Sequence, residues 1–185
     1  EIIRMFNSAF NHLTGNTSDY YPEDLHDKIN ALNDRIYETI NNGVYRTGFA
    51  STQKSYESAF HSLFDSLDWV ESLLTKQRYL TGDELTEADW RLFTTLIRFD
   101  AVYFGHFKAN RQQLADYPSI SDYVRELYQM PGIAETVNFT HIKTHYYASH
   151  LTINPTRIIP FGPEQDFTAA HNRAQRKRAA RIGES

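Results

Sequence analysis

Residues 85–100 constrain the fold of this chain more than any other stretch. Thr86 stands where a helix N-cap is expected, and Asp89, three residues later, can reach back to the backbone amide of the cap. The residues that follow leave no wide polar face: Ala88, Trp90, Leu92, Phe93, Leu96, Ile97 and Phe99. A helix of this kind buries its whole circumference, so we expect it at the centre of a helical domain, surrounded by other helices.

Two longer apolar stripes precede this capped helix. The first repeats every three or four residues over residues 25–40, and Asn41-Asn42-Gly43 is expected to end that helix. The second covers residues 56–74, in a helix expected to begin at Ser51 or Thr52. Because the link between the two stripes is short, the two helices are expected to pack as an antiparallel pair.

The rest of the chain completes an all-α prediction. Further helices are expected over residues 1–10 and 120–129, and no stretch before them or between them alternates apolar and polar residues as a strand would. After His145 the chain carries Pro155, Pro160 and Pro163, which exclude a continuous helix. The sequence therefore predicts a helical bundle followed by an extended C-terminal segment.

Composition excludes several kinds of chemistry. The chain contains no cysteine, so its 185 residues offer no disulfide, no thiolate metal site and no thiol nucleophile. This absence is compatible with a reducing compartment, and we expect a cytoplasmic protein. No apolar run approaches the roughly 20 residues that a membrane helix needs, so no membrane partner is expected.

The C-terminus is basic, although the chain as a whole carries a formal net charge of −4. Residues 172–185 include Arg173, Arg176, Lys177, Arg178 and Arg181 against one acid. A basic tail can contact nucleic acid, but this one lacks the interleaved aromatic residues that strengthen such a reading. We expect a solvated terminus and no nucleic-acid partner.

Three histidines raise the question of a metal site. His141 and His145 are four residues apart, and His150 is nearby. The intervening residues 142–144 lack the glutamate of a His-Glu-x-x-His pattern and include a lysine, which disfavours a bound cation. We therefore expect no metal.

Six phrases of the sequence resemble the C-terminal helical domain of glutathione transferases, specifically the Xi class, the glutathionyl-hydroquinone reductases. The phrases are Glu1-Ile2-Ile3-Arg4-Met5-Phe6-Asn7, Asn41-Asn42-Gly43-Val44-Tyr45-Arg46-Thr47-Gly48-Phe49-Ala50, Arg78-Tyr79-Leu80-Thr81-Gly82, Leu85-Thr86-Glu87-Ala88-Asp89, His145-Tyr146-Tyr147-Ala148-Ser149-His150 and Asn154-Pro155. The capped helix is shared by glutathione transferases in general, whereas the Asn-Asn-Gly-Val-Tyr and His-Tyr-Tyr phrases are more specific to this class.

The resemblance implies a two-domain enzyme. In this family an upstream thioredoxin-like domain binds glutathione, the co-substrate, and supplies a cysteine nucleophile in a Cys-Pro-Trp-Ala motif. Residues 1–14 would then be the last helix of that domain, residues 15–145 the helical domain, and residues 146–185 an extended wrapping segment with a basic tail. The chain starts at Glu1 with helical spacing and no cap, which fits an upstream portion. By itself it is expected to be inactive.

The resemblance also implies the chemistry and the residues that serve it. Family members remove glutathione from glutathionyl-hydroquinones: the enzyme thiolate takes the glutathionyl sulfur, and a second glutathione resolves the mixed disulfide. Carried over by motif, Tyr45 and Tyr146 are the catalytic phenols, placed in non-helical links, because a phenol stays protonated at neutral pH and can donate a hydrogen bond to the ring. The neighbouring residues expected to bind substrate are Arg46, Tyr56, Tyr147 and His150.

Two questions about the assembly stay open at the level of sequence. The resemblance implies a homodimer formed through the helical domains. An alternative reading is a glutathione-transferase-like fold used as a non-catalytic interaction or assembly module, which the missing thiol neither favours nor excludes.

Overall fold

The computed structural model describes residues 2–175. Its α-helices are α1 (Ile2–Ser8), α2 (Asn11–Thr14), α3 (His26–Ile36), α4 (Asn42–Gly48), α5 (Gln53–Lys76), α6 (Glu87–Arg98), α7 (Phe104–His106), α8 (Pro118–Tyr128) and α9 (Phe139–Ser149). Single 3-10 turns lie at Glu23–Leu25, Leu114–Asp116, Ala134–Thr136 and Arg173–Gln175. Among these described residues there is no strand, only an isolated bridge between Tyr79 and Gly82, so the all-α prediction is confirmed.

Helix α6 occupies the centre, as its sequence predicts. Ala88 and Leu92 are fully buried, and Leu96 is 2% exposed. The Asp89 carboxylate accepts a hydrogen bond from the Thr86 amide at 2.9 Å, which confirms the capping box. The same carboxylate accepts from the Leu80 amide at 2.9 Å and from the Tyr123 hydroxyl at 2.8 Å, so one side chain ties the start of α6 to the preceding turn and to α8. Burial raises the pKa of Asp89, and these donors oppose that rise.

Helix α5 begins where the sequence places it, because Thr52 caps it and accepts a hydrogen bond from the Ser55 amide at 3.1 Å. Its buried face carries Leu63, Leu67 and Val70, all fully buried. Helix α4, the π-helical turn Tyr37–Asn41 before it, and α8 pack against α5, while α3 packs against α6, which builds one hydrophobic core.

The expected end of the second helix at Asn41-Asn42-Gly43 is wrong. Helix α3 passes through a π-helical turn, Tyr37–Asn41, directly into α4. The Asn41 amide is used in a tertiary contact, since it donates to the Arg91 carbonyl at 3.1 Å and to the Thr95 hydroxyl at 2.6 Å. Gly43 is buried against Leu63 and lets α4 approach α5, so neither residue stops the helix.

The expectation of extended chain from residue 146 is also wrong for its first four residues. Asn138 caps α9 by accepting a hydrogen bond from the His141 amide at 3.0 Å, and the helix runs to Ser149. Tyr146, Tyr147, Ala148 and Ser149 are all tolerated in a helix, and the first proline comes only at residue 155. From residue 150 to residue 172 the chain is non-helical, as predicted.

The predicted solvated tail is wrong at its start, because Arg173 is fully buried. Its guanidinium donates to the Leu74 carbonyl at 2.9 Å, to the Gln77 carbonyl at 3.0 Å and to the Arg78 carbonyl, all at the C-terminal end of α5. It also lies 3.6 Å from the Glu126 carboxylate. A cation at this position interacts favourably with the partial negative charge of the carbonyls at the C-terminal end of a helix. The remaining basic residues of the tail lie outside the described residues.

Candidate active site

Two phenols that are 101 residues apart in sequence meet at one wall of the bundle. The Tyr45 hydroxyl on α4 lies 2.6 Å from the Tyr146 hydroxyl on α9. A third phenol stands behind them, since the Tyr103 hydroxyl lies 2.8 Å from that of Tyr146. Tyr103 ends the π-helical turn Phe99–Tyr103, which continues α6. Tyr45 and Tyr146 therefore both stand on helices, and the prediction that they lie in non-helical links is wrong.

A single ring backs all three phenols. The ring centroid of Phe107 lies 5.3 Å from that of Tyr45, 5.5 Å from that of Tyr103 and 6.0 Å from that of Tyr146. Such edge and offset contacts fix ring orientation as well as burying apolar area. The close packing depends on Gly48, because a Cβ there would stand 2.2 Å from Phe107 Cγ. The three hydroxyls are thus held in place by packing that does not involve a ligand.

Burial favours one direction of the hydrogen bond between Tyr103 and Tyr146. Either hydroxyl of this 2.8 Å pair can donate, but Tyr103 is 2% exposed, and donation to Tyr146 gives its buried hydrogen an acceptor. Three hydroxyl hydrogens then serve two hydrogen bonds. The spare hydrogen is on Tyr45 or Tyr146, and either can donate it to a ligand.

The pKa values of Tyr103 and Tyr146 are both raised above that of a free phenol. Burial raises the pKa of Tyr146 to about 12, and the nearby positive charge of Arg98 opposes this rise. Burial also raises the pKa of Tyr103 well above its usual value, and the adjacent Tyr146 adds to that effect. At neutral pH both side chains are therefore neutral donors and not phenolates.

Tyr45 and Tyr146 face a large open cleft of about 770 Å³. Four structural units line it: α1 through Ile3, α3 with its π-helical continuation into α4, α6 with its π-helical continuation, and α9. The aromatic residues of the lining are Tyr37, Tyr45, Trp90, Tyr103 and Tyr146. The charged and imidazole residues of the lining are Glu87, Arg91, Arg98, His141 and His145. A cleft of this size with aromatic walls and a few convergent polar groups suits an aromatic ligand.

The other four sequence-predicted site residues lie outside this cleft. Arg46 pairs with Glu38 on a separate surface depression. The Tyr56 hydroxyl donates to the Lys108 carbonyl at 2.8 Å. Tyr147 faces the other way from Tyr146, with its hydroxyl donating to the Ala101 carbonyl at 3.4 Å.

His150, the last of the four, belongs to a histidine pair. Its Nδ1 lies 3.1 Å from Nε2 of His106, so the two imidazoles share one hydrogen. Burial lowers the pKa of both rings, that of His106 to about 4. The pair packs on Phe107, with ring centroids 5.2 and 5.7 Å from it, and so supports the phenols from behind.

Sequence reasoning missed Tyr103 and Arg98. Tyr103 follows Phe99 by four residues in an apolar run, and that spacing by itself indicates core packing. A signal for Arg98 did exist, since Arg91, Thr94, Thr95 and Arg98 form one polar stripe along an otherwise apolar helix.

The structure adds two findings on metal and membrane. No three His, Cys, Asp or Glu side chains of residues 2–175 converge as a metal site requires. Over the same range, no helix combines the length and the apolar character needed to cross a bilayer.

Comparison with known proteins gives consistent matches. Residues 53–126 match the family model for the glutathione S-transferase C-terminal domain. The glutathionyl-hydroquinone reductase YqjG of Escherichia coli K12 is 55% identical to this chain, over 94% of this chain and 53% of its own length. Its glutathione-bound structure superposes with a TM-score of 0.93, over 95% of this chain and 57% of that one. The glutathionyl-hydroquinone reductase PcpF of Sphingobium chlorophenolicum is 54% identical over 89% of this chain and 53% of its own length. A Xi-class glutathione transferase from Natrialba magadii has 48% identity and a TM-score of 0.92, over 95% of this chain and 54% of that one.

The fold and these matches define the chain as a glutathione S-transferase C-terminal helical domain. The more particular resemblance to the Xi class, the glutathionyl-hydroquinone reductases, is confirmed by the same relatives. The chain spans about half the length of the curated relatives it matches.

Proposed function

We propose that this chain is the substrate-binding helical domain of a glutathione-dependent reductase that removes glutathione from glutathionyl-hydroquinones. The observation that supports this most directly is the chain of hydroxyls from Tyr103 through Tyr146 to Tyr45 at the wall of an aromatic cleft. Two relatives named glutathionyl-hydroquinone reductase, one of which is also solved with glutathione bound, support the choice of substrate.

The proposed reaction exchanges one thioether for one disulfide. In its keto tautomer, the conjugate carries a hydrogen on the ring carbon that bears sulfur. A thiolate attacks the sulfur, the carbon–sulfur bond breaks, and its electron pair enters the ring, so the carbonyl oxygen becomes a hydroxyl once it takes up a proton. A second glutathione then resolves the mixed disulfide. One conjugate and one glutathione give one hydroquinone and one glutathione disulfide. The thiolate comes from outside these 185 residues, which contain no cysteine.

In this scheme the phenols donate a hydrogen bond or a proton to the oxygen of the substrate ring. As the electron pair enters the ring, negative charge develops on that oxygen, and the spare hydroxyl hydrogen of Tyr45 or Tyr146 is available to hydrogen-bond or protonate it. A donor that strengthens its hydrogen bond as charge develops lowers the barrier. Because the pKa of Tyr146 is raised to about 12, the proton is retained at neutral pH until that charge appears.

The reaction is tested by supplying the whole protein with a glutathionyl-hydroquinone and glutathione. We expect free hydroquinone and glutathione disulfide to form in equal amounts, as measured by chromatography. If conjugate and glutathione persist while the conjugate still binds, the domain acts as a binding module and the proposed reaction is wrong. The homodimer that the resemblance implies is a separate proposal, checked by the mass of the protein in solution.

A further inference from the structure

The cleft has an unbalanced charge. Its acidic lining residue, Glu87, is already engaged: it accepts hydrogen bonds from Arg4 at 2.8 Å and from the Asn33 amide at 2.9 Å, and it lies 3.6 Å from Arg91. Glu87 is 4% exposed, so these partners neutralise it within the wall. It therefore contributes little negative charge to a ligand in the cleft.

Arg98, unlike Glu87, has no oppositely charged partner among residues 2–175. It lines the cleft, and its guanidinium donates to the Thr94 carbonyl within its own helix. Within residues 2–175 no carboxylate lies in ion-pair distance of it, whereas Arg91, two helical turns earlier on the same polar stripe, pairs with Glu87. A half-buried cation without a counter-ion is the usual form of an anion-binding group in a protein cleft.

The positive charge lies at the phenol end of the cleft. Arg98 is the last residue of α6, directly before the π-helical turn that carries Tyr103, and it lines the same cleft as Tyr146. The His145 ring centroid lies 5.0 Å from that of Tyr146, and His141 lines the same cleft one helical turn earlier. Arg98 from α6 and the two imidazoles from α9 thus border the place where a ring stacked near the phenols would lie.

We propose that the cleft selects aromatic ligands that carry an anionic substituent such as a carboxylate on the ring, held by Arg98 and His145 beside Tyr146. This inference rests on the proposed function, because it names a class of substrate for the same site. A glutathione conjugate also carries carboxylates on its peptide. We assign the anion to the ring because Arg98 acts at the phenol end, where the ring lies.

Binding of two ligands that differ in charge alone tests the inference. We expect the whole protein to bind 2-naphthoate about tenfold more tightly than its neutral isostere 2-naphthamide in calorimetric titrations. Arg98→Met should remove this preference, and Arg98→Lys should retain part of it because the charge remains. Arg125→Met is the matched control, since it removes one positive charge from α8, away from the cleft, where Arg125 pairs with Asp122 at 3.4 Å.

A second pair of ligands distinguishes the two sources of the anion. S-methylglutathione and its glycine ethyl ester differ in one carboxylate of the peptide. If Arg98→Met changes the ratio of their affinities but leaves the naphthoate preference intact, Arg98 reads the peptide and the ring assignment is wrong. Equal binding of naphthoate and naphthamide by the unmodified protein overturns the inference as well.

The outcome is separable from that of the proposed function. These titrations need no turnover, so an absent charge preference overturns the ligand class alone. Absence of glutathione disulfide in the turnover assay overturns the proposed reaction and leaves a measured charge preference standing.

Discussion

Tyr103 shows how a buried residue can control the chemistry of its neighbours. Its buried hydroxyl lies 2.8 Å from that of Tyr146, and donation to Tyr146 leaves a hydroxyl hydrogen on Tyr45 or Tyr146 available to a ligand. Tyr103 lines the cleft but is 2% exposed, so we expect it to act through Tyr146 and describe it as a positioning residue.

Replacement of Tyr103 by Phe tests this role. Removing the donor frees Tyr146 to rotate its own hydrogen toward any acceptor, so we expect kcat to fall about tenfold with little change in KM, and the free energy of unfolding to fall by about 1 kcal/mol. Tyr128→Phe, in which the changed ring contacts Phe167 and not the phenols, is the control. An unchanged kcat in Tyr103→Phe would show that the orientation of Tyr146 does not depend on it.

Among individual residues, motif resemblance identified the phenols correctly as neighbours but gave no geometry for the rest. Tyr45 and Tyr146 meet at 2.6 Å, yet Arg46 and Tyr147, adjacent to them in sequence, lie outside the cleft. Both phenols stand on helices, where consecutive side chains are about 100° apart, so a cleft is lined by an arc of each helix. His145 and Tyr146 lie on that arc of α9, and Tyr147 lies outside it. Sequence resemblance identifies the segment, whereas the orientation of its helix determines which of its side chains face the cleft.

At the level of elements, the two π-helical turns place the phenols. Each inserts an extra residue into a helix and changes the register of the turn that follows, at Tyr37–Asn41 before Tyr45 and at Phe99–Tyr103. The sequence predicted the long periodic helices α5, α6 and α8 because their apolar spacing is regular. It did not predict the π-helical turns, because Asn41 and Gly43 resemble a helix end unless their tertiary partners are known.

The packing of Phe107 against α4 can be tested by comparing two glycines of that helix, Gly43 and Gly48. A Cβ at Gly48 would stand 2.2 Å from Phe107 Cγ, while one at Gly43 would make an ordinary contact of 3.7 Å with Leu63. Gly48→Ala should therefore displace Phe107, cost about 2 kcal/mol of stability and lower kcat. Gly43→Ala should be neutral or slightly stabilising, since alanine is the better helix former. Equal melting temperatures for the two variants would contradict the packing described for Phe107.

At the level of the whole molecule, the C-terminal segment is fastened back onto the bundle. Residues 150–172 run without a helix, and the next residue, Arg173, inserts into the C-terminal end of α5. Sequence alone gave no reason to separate Arg173 from the basic residues after it, because charge patterning does not reveal which cation contacts the carbonyls at the end of a helix.

Arg173→Met tests the fastening. The variant loses the charged hydrogen bonds to the Leu74 and Gln77 carbonyls, so we expect the free energy of unfolding to fall by about 3 kcal/mol. Proteolysis should then begin within residues 150–172 under native conditions. Arg157→Met, an exposed arginine of the same segment, should match the unmodified protein in both assays. Equal denaturation midpoints for the two variants would mean that Arg173 is not an anchor.

The central claim is that the neutral phenol of Tyr146 assists the chemistry, and its neighbour provides the most direct comparison. Tyr146→Phe and Tyr147→Phe each remove one hydroxyl from consecutive positions of α9, but only the first lines the cleft. Measured on a glutathionyl-hydroquinone with the whole protein, kcat/KM should fall about 100-fold in Tyr146→Phe and stay near the unmodified value in Tyr147→Phe. Equal values of kcat/KM in the two variants would contradict the account.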